Sequence, residues 1–250
     1  MEKWRNKVVC ISGGNSGCGL NIIKELLKHK LIIVCLDLKD DEIKKIKCEN
    51  LHSIICDITD DASLISAFNW IEKKFKSVDI LINNAGMTNC LGILDNKMSI
   101  DELRRCMNVN FLAGLHCIKL SFQLMNKYDN FCIIIQINSV AGHQVIDMGS
   151  CKLGMYSTSK HAITATTELL RLELNQINNK KVRVTNISPG LIDTSLFTTS
   201  NLSKEIVESI KNKMEKLETQ DIADTVVYVL SQPYRIHIND IILRATGSTF

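Results

Sequence analysis

Short apolar runs that do not alternate with polar residues recur along this chain, separated by longer stretches of helical periodicity. The runs are Lys7–Ser12, Leu31–Leu36, Leu51–Cys56, Asp79–Asn83, Phe131–Asn138, Lys181–Ile187 and Ile238–Leu243. The helical stretches include Gly19–His29, Ala62–Lys76, Asp101–Lys127 and Met155–Gln176. A strand that is apolar on both sides is buried on both faces, and helices between such strands cover those faces. Crossovers of this kind are right-handed, so the pattern predicts a doubly wound α/β fold, a seven-stranded parallel sheet with helices on both faces. Only Pro189 and Pro233 occur, near element ends, and no linker or repeat interrupts the pattern. One domain over residues 1–250 is therefore expected. The polar helical segment 195–217 within it reads as a lid over a site, with a solvated surface helix as the alternative.

Charge and composition remove several classes of function. Thirty Lys+Arg against 27 Asp+Glu leave a net charge of +3, and no basic block reaches five residues, so no nucleic-acid partner is expected. The longest apolar runs are strand-sized, so no membrane partner is expected either. Lys3, Arg5 and Lys7 lead straight into the first strand-like run, which does not resemble a signal peptide. The 10 cysteines include no C-x-x-C and no Cys/His cluster with zinc spacing, so no metal is expected. Cys10, Cys35, Cys56 and Cys132 lie inside apolar runs, where reduced thiols behave as small buried hydrophobes, and a cytoplasmic location follows as an expectation. His116 and Cys117 are neighbours on one helix and need not face the same way.

The first run ends in Ser12-Gly13-Gly14-Asn15-Ser16-Gly17-Cys18-Gly19, directly before a helix. Gly13, Gly17 and Gly19 allow a tight turn against a pyrophosphate, with Asn15, Ser16 and Cys18 in the same turn and the helix N-terminus offering N–H groups. Asp37 ends the second run 18 positions after Gly19, with Leu38 beside it. Its carboxylate can accept both adenosine ribose hydroxyls and would repel a 2′-phosphate by ~1–3 kcal/mol, which favours NAD over NADP. Lys39 softens that repulsion. Asp57, with Ile58, is expected to meet the adenine amino group, a helix-capping role being the alternative. Asn83-Asn84-Ala85-Gly86 follows the fourth run, at the edge of the sheet where ligands bind.

Tyr156 and Lys160 stand one turn apart on a helix face, and Ser139 ends the fifth run. A tyrosine is a poor base near neutrality, but an adjacent ammonium and a cationic nicotinamide both favour its phenolate. Ser139 can hydrogen-bond a substrate oxygen.

With these pieces in view, the chain resembles the single-domain short-chain dehydrogenase/reductase family over essentially its whole length. The likeness rests on Gly13–Gly19, Asn83-Asn84-Ala85-Gly86, Val109-Asn110, Ser139, Tyr156-x-x-x-Lys160 and Pro189-Gly190 with Thr194. It implies a Rossmann fold in which Tyr156 is the general acid/base, Lys160 lowers its pKa and holds the nicotinamide ribose, Ser139 orients the substrate and Asn110 positions a relay water. It also implies cofactor contacts from Asn83, Ala85, Gly86, Pro189 and Gly190, with Ile192 and Thr194 at the carboxamide. Asn138–His143, the helix Tyr156–Leu174 and Asp221–Leu230 resemble the insect farnesol-dehydrogenase-like branch, which acts on lipophilic alcohols or their ketones. Where an NADP-using relative has a small residue and then Arg, this chain has Asp37 and Leu38.

The expected function is NAD-dependent oxidation of a lipophilic terpenoid or medium-chain aliphatic alcohol. The alternatives are an oxo-steroid or general carbonyl reductase, and a catalytically retired nucleotide sensor. The matching helices of the family form a dimer interface, so a homodimer or homotetramer is expected. His143 and Cys151 bracket the segment between Ser139 and Tyr156, either lining the substrate pocket or packing the loop.

Overall fold

The computed structural model describes residues 1–88, 91–128, 130–148, 151–194 and 215–248. Seven strands form one parallel sheet: β1 (Val8–Ser12), β2 (Ile32–Asp37), β3 (Leu51–Ile55), β4 (Ile80–Asn83), β5 (Cys132–Ile137), β8 (Val182–Pro189) and β9 (Asp240–Leu243). Their order, β3-β2-β1-β4-β5-β8-β9, reverses direction between β1 and β4. A crevice opens at such a switch point, outside the carboxyl ends of the strands. Here Ser12 pairs with Asn83, so the glycine turn and the Asn83–Gly86 turn leave the sheet side by side.

Alternate residues of each central strand feed two cores, which is why the apolar runs needed no polar partner face. Val9 and Ile11 pack with Ile22, Ile23 and Leu26 of α1 (Gly17–Lys28) and with Ile222, Val226 and Val229 of α6 (Thr219–Ser231). Val8 and Cys10 face Leu64, Phe68 and Ile71 of α2 (Asp61–Phe75), and Cys117 and Leu124 of α4 (Ala113–Tyr128). Each fully buried Leu, Ile or Phe contributes about 1.5–3 kcal/mol. Cys10, Cys35, Cys56 and Cys132 are all buried free thiols. The outer strands β3 and β9 are only partly covered. No helix among the described residues is long and apolar enough to cross a membrane.

Two elements differ from the sequence reading. The single helix expected over Asp101–Lys127 is α3 (Ile100–Met107), a π-helical turn over Asn108–Leu112, and then α4. One π-turn shifts the apolar stripe once, by about 100°, and does not repeat, so it leaves no period of its own in the sequence; such turns recur at functional sites. A two-residue antiparallel ladder, β6 (Asp147–Met148) with β7 (Cys151–Lys152), precedes α5 (Gly154–Gln176) and is too short to register as a pattern.

Candidate active site

The glycine turn is held by its neighbour across the switch point. Gly13 has φ +67°, and a Cβ there would lie 2.7 Å from the Ala85 Cα, so both backbone handedness and close approach demand glycine. A Cβ on Gly19 would fall 2.2 Å from the Gly13 carbonyl. Asn84 Nδ2 donates to the carbonyls of Ser12 (3.1 Å) and Gly13 (2.7 Å), while Ser12 Oγ accepts from the backbone N–H groups of Asn84 and Ala85. The two turns are one rigid unit.

That unit opens on a cleft of about 430 Å³ along the carboxyl edge of the sheet. Asp37, Leu38, Asp57 and Ile58 line it on the β2–β3 side. Gly13, Ser16, Gly17, Cys18, Ala85 and Gly86 line its middle, and Ser139, Tyr156, Lys160, Pro189, Gly190, Ile192 and Thr194 the β5–β8 side. The middle suits a pyrophosphate. Ser16 caps α1 without a side-chain bond, no acidic residue occupies the first turn, and a Cβ on Gly17 would meet only the side chain of Thr194. Uncapped N–H groups at a helix N-terminus, carrying its positive dipole, form an anion site.

Of four residues expected at the cofactor or in the relay, three engage their side-chain amides within the protein and the fourth is a glycine packed below the turn. Asn15 Oδ1 accepts from the N–H groups of Glu42 and Ile43, and its Nδ2 donates to Asp41, so it braces the loop after β2. Asn83 Nδ2 donates to the Gly114 carbonyl and Gln136 Oε1. Gly19 is packed beneath the turn. Asn110, in the π-turn, accepts from Met87 N–H (2.8 Å) and donates to the Met87 carbonyl and Ser159 Oγ. Its amide holds the backbone of Met87. Asn110, Asn83 and Lys160 do border a second cavity of about 10 Å³, the room one water needs.

Asp37 accepts from Asn15 N–H at 2.9 Å and Lys39 N–H at 3.3 Å, which aims its carboxylate at the cleft. Asp57 does not cap α2, since Asp60 does so through Ala62 N–H; Asp57 instead folds a tight turn with Thr59.

Tyr156, Ser139 and Lys160 converge. Lys160 Nζ donates to the Ile137 carbonyl at 3.0 Å and lies 5.6 Å from the centre of the Tyr156 ring. Burial pushes the Tyr156 phenol up to about 12, against the hydrogen bond from Ser139, which lowers it. Burial likewise pulls Lys160 down to about 8. Desolvation is the largest influence on both groups and, with no cofactor bound, drives each toward its neutral form.

The other residues singled out disperse. His116 meets Asp61 at 2.9 Å on the surface while Cys117 enters the core. His143 bonds to Ser188 and Asp240 and does not line the cleft. The side chain of Cys151 lies outside the described residues, as do 195–214 of the expected lid. The chain on either side of that segment is joined: Leu217 N–H donates to the Leu191 carbonyl, Asp193 N–H to that of Leu217, and Lys216 pairs with Asp193 at 3.0 Å. Sequence reasoning missed Met87, Ile146, Leu153 and Leu191, which line the cleft with Tyr156, and Arg105 from α3. They come from separate segments and share no motif.

Comparison with known proteins agrees with this geometry. A family model described as short chain dehydrogenase matches residues 7–205. Farnesol dehydrogenase of Aedes aegypti is 33% identical over 260 residues, covering 100% of both chains. Dehydrogenase/reductase SDR family member 11 of Gallus gallus is 31% identical, over 98% of each. A solved 4-hydroxyisoleucine dehydrogenase complexed with NADH is 26% identical with a TM-score of 0.81, over 96% of this chain and 98% of that one.

Proposed function

The chain belongs to the short-chain dehydrogenase family, and on that premise we propose that it is an NAD-dependent oxidoreductase acting on a lipophilic alcohol, terpenoid or medium-chain aliphatic. The observation that carries this reading is the convergence of Tyr156, Ser139 and Lys160 in a cleft whose lining there includes Met87, Ile146, Leu153 and Leu191. The likeness to an insect farnesol dehydrogenase supports the substrate class.

A bound nicotinamide cofactor supplies the hydride acceptor and, when oxidised, a positive ring. The N-terminus of α1 would hold the pyrophosphate, and the lone pairs of Asp37 not used by Asn15 and Lys39 would accept the adenosine ribose hydroxyls. Lys160, with one proton on the Ile137 carbonyl, would offer the other two to the nicotinamide ribose and toward the phenolate. Ser139 holds the substrate oxygen, and Tyr156 Oη takes its hydroxyl proton during oxidation and returns it during reduction. Positive charge beside the phenol is needed to offset its burial. Most of the rate comes from holding the reacting carbon in near-attack geometry.

The test is NADH or NADPH formation with NAD and NADP in parallel, against terpenoid, aliphatic and steroid alcohols. Faster turnover with NAD on one terpenoid or aliphatic alcohol is expected, with Asp37→Ala narrowing the NAD preference about ten- to hundredfold. Preference for NADP in the wild type would assign the cofactor choice to Lys39 and the physiological direction to reduction. Tight cofactor binding without turnover of any alcohol or ketone would leave a nucleotide sensor.

The same reading includes a homodimer or homotetramer. Leu169 and Leu172 of α5 are 52% and 44% exposed and Leu112 beside α4 is 51% exposed, leaving apolar surface on the helices the family uses for assembly. Light scattering at micromolar concentration should give a multiple of 28.1 kDa; a stable monomer would sink this part. A cytoplasmic location, with its reduced thiols, completes the proposal.

A further inference from the structure

The turn that presents Ser139 is gripped from two sides, and only one of them belongs to the reacting groups. Ser139 caps a 3-10 turn over Val140–Gly142, accepting from Ala141 N–H at 3.1 Å. On the α5 side, Thr164 Oγ1 donates to the Gly142 carbonyl at 2.9 Å, and a Cβ on Gly142 would sit 2.6 Å from the Lys160 carbonyl. On the opposite side the contact is His143. Its Nε2 lies 2.9 Å from Ser188 Oγ and 3.3 Å from Asp240 Oδ2, at the carboxyl end of β8 and in β9.

Asp240 is placed to receive it. Its Oδ1 accepts from Ser188 Oγ at 3.1 Å and its Oδ2 from Asn186 Nδ2 at 3.1 Å. A bare imidazole lone pair facing this carboxylate would be repelled, and the Ser188 hydroxyl proton is already directed at Oδ1. The ring proton is thereby assigned to Nε2, which donates to Ser188 Oγ with the Asp240 carboxylate beside it. Ser188 is fully buried and directly precedes Pro189-Gly190, which line the cleft; Gly190 N–H is in turn bonded to the Leu243 carbonyl of β9.

We infer that His143 is a positioning residue: a donor strut, anchored on Asp240, that sets the separation between the Ser139 turn and the Pro189–Gly190 wall of the cleft. It touches neither reacting atom. It acts by holding two walls that belong to different crossovers, and the inference rests on the oxidoreductase reading above. A displacement of about 1 Å between groups that flank a reacting centre costs up to about a hundredfold in rate.

The experiment compares the wild type with His143→Phe, which keeps a ring and removes the donor, and His143→Gln, whose amide N–H replaces Nε2–H. His143→Phe is expected to lower kcat about ten- to hundredfold with cofactor Kd and substrate KM within about threefold, and His143→Gln to recover most of that loss. The same series is followed by amide hydrogen exchange over residues 139–143 and 188–190, which should speed in His143→Phe and return in His143→Gln. Wild-type kcat and exchange in His143→Phe would overturn the strut, as would equal loss in both variants. If the wild type turns over no alcohol or ketone, the oxidoreductase reading fails by itself, and the exchange series still decides the strut.

Discussion

Tyr156→Phe is expected to lose about a hundred- to ten-thousandfold in kcat, the range that a positioned acid/base group contributes, while cofactor Kd stays within about threefold. The phenol is buried against Ser139, and the phenyl ring fills the same space, so packing survives and only the proton acceptor goes. Ser139 cannot replace it, because a serine hydroxyl is a far weaker acid than a phenol supported by Lys160. Parallel measurement of single-turnover rate and cofactor binding separates the two effects. Near-normal turnover in the variant would remove Tyr156 from the chemistry and with it the proposed mechanism. The same pair governs pH dependence. Burial opposes the phenolate, so oxidation should speed as pH rises toward the tyrosine pKa, and Tyr156→Phe should lose that limb.

Stability should move the other way, and steeply. Burial pushes the thiols of Cys18, Cys35, Cys117 and Cys132 up to about 12, and that of Cys10 well above its usual value. In the unfolded chain these thiols ionise near 9, so above that pH the unfolded state holds fewer protons than the folded one and stability falls. Each such thiol costs about 1.4 kcal/mol per pH unit; the four that reach about 12 together cost about 5 kcal/mol per unit between pH 9 and 12, and Cys10 adds to them. Lys160 works in the opposite sense. Its pKa is lowered in the fold, so between pH 8 and 10.5 rising pH favours the folded state, but as one group against five thiols and, above pH 10, the Tyr156 phenol. A whole domain is stable by about 5–15 kcal/mol, so cooperative unfolding is expected between about pH 10 and 12. Guanidinium melts under reducing conditions from pH 8 to 11 measure this directly, and Cys117→Ala should flatten the slope by about 1.4 kcal/mol per unit. A midpoint that does not change up to pH 10.5 would mean that the thiols ionise without unfolding.

Periodicity and local chemistry carried the sequence reading a long way. The seven strands were legible because a strand buried on both faces shows as an unbroken apolar run, whatever packs against it. The glycine turn, Asp37 and the Tyr156–Lys160 pair were legible because their geometry is local: a turn between a strand and a helix, a strand end, one helical turn. Asn15, Asn83 and Asn110 fall between these cases. They lie near the site, but each amide bonds backbone groups, of the 42–43 loop, of α4 and of Met87, because buried N–H and C=O groups must find partners.

What the chain determined by itself, then, was the sheet, its direction and the identity of the groups that line its carboxyl edge, since each follows from residues close together in sequence. Only the tertiary structure decided which polar side chains face the cleft and which brace it, which apolar residues wall its reacting end, and that His143 joins Ser188 and Asp240 across 45 and 97 positions. The reason is physical. Backbone preference and burial pattern act over a few residues, whereas hydrogen-bond satisfaction and close packing are settled among segments that meet only after the crossovers have formed.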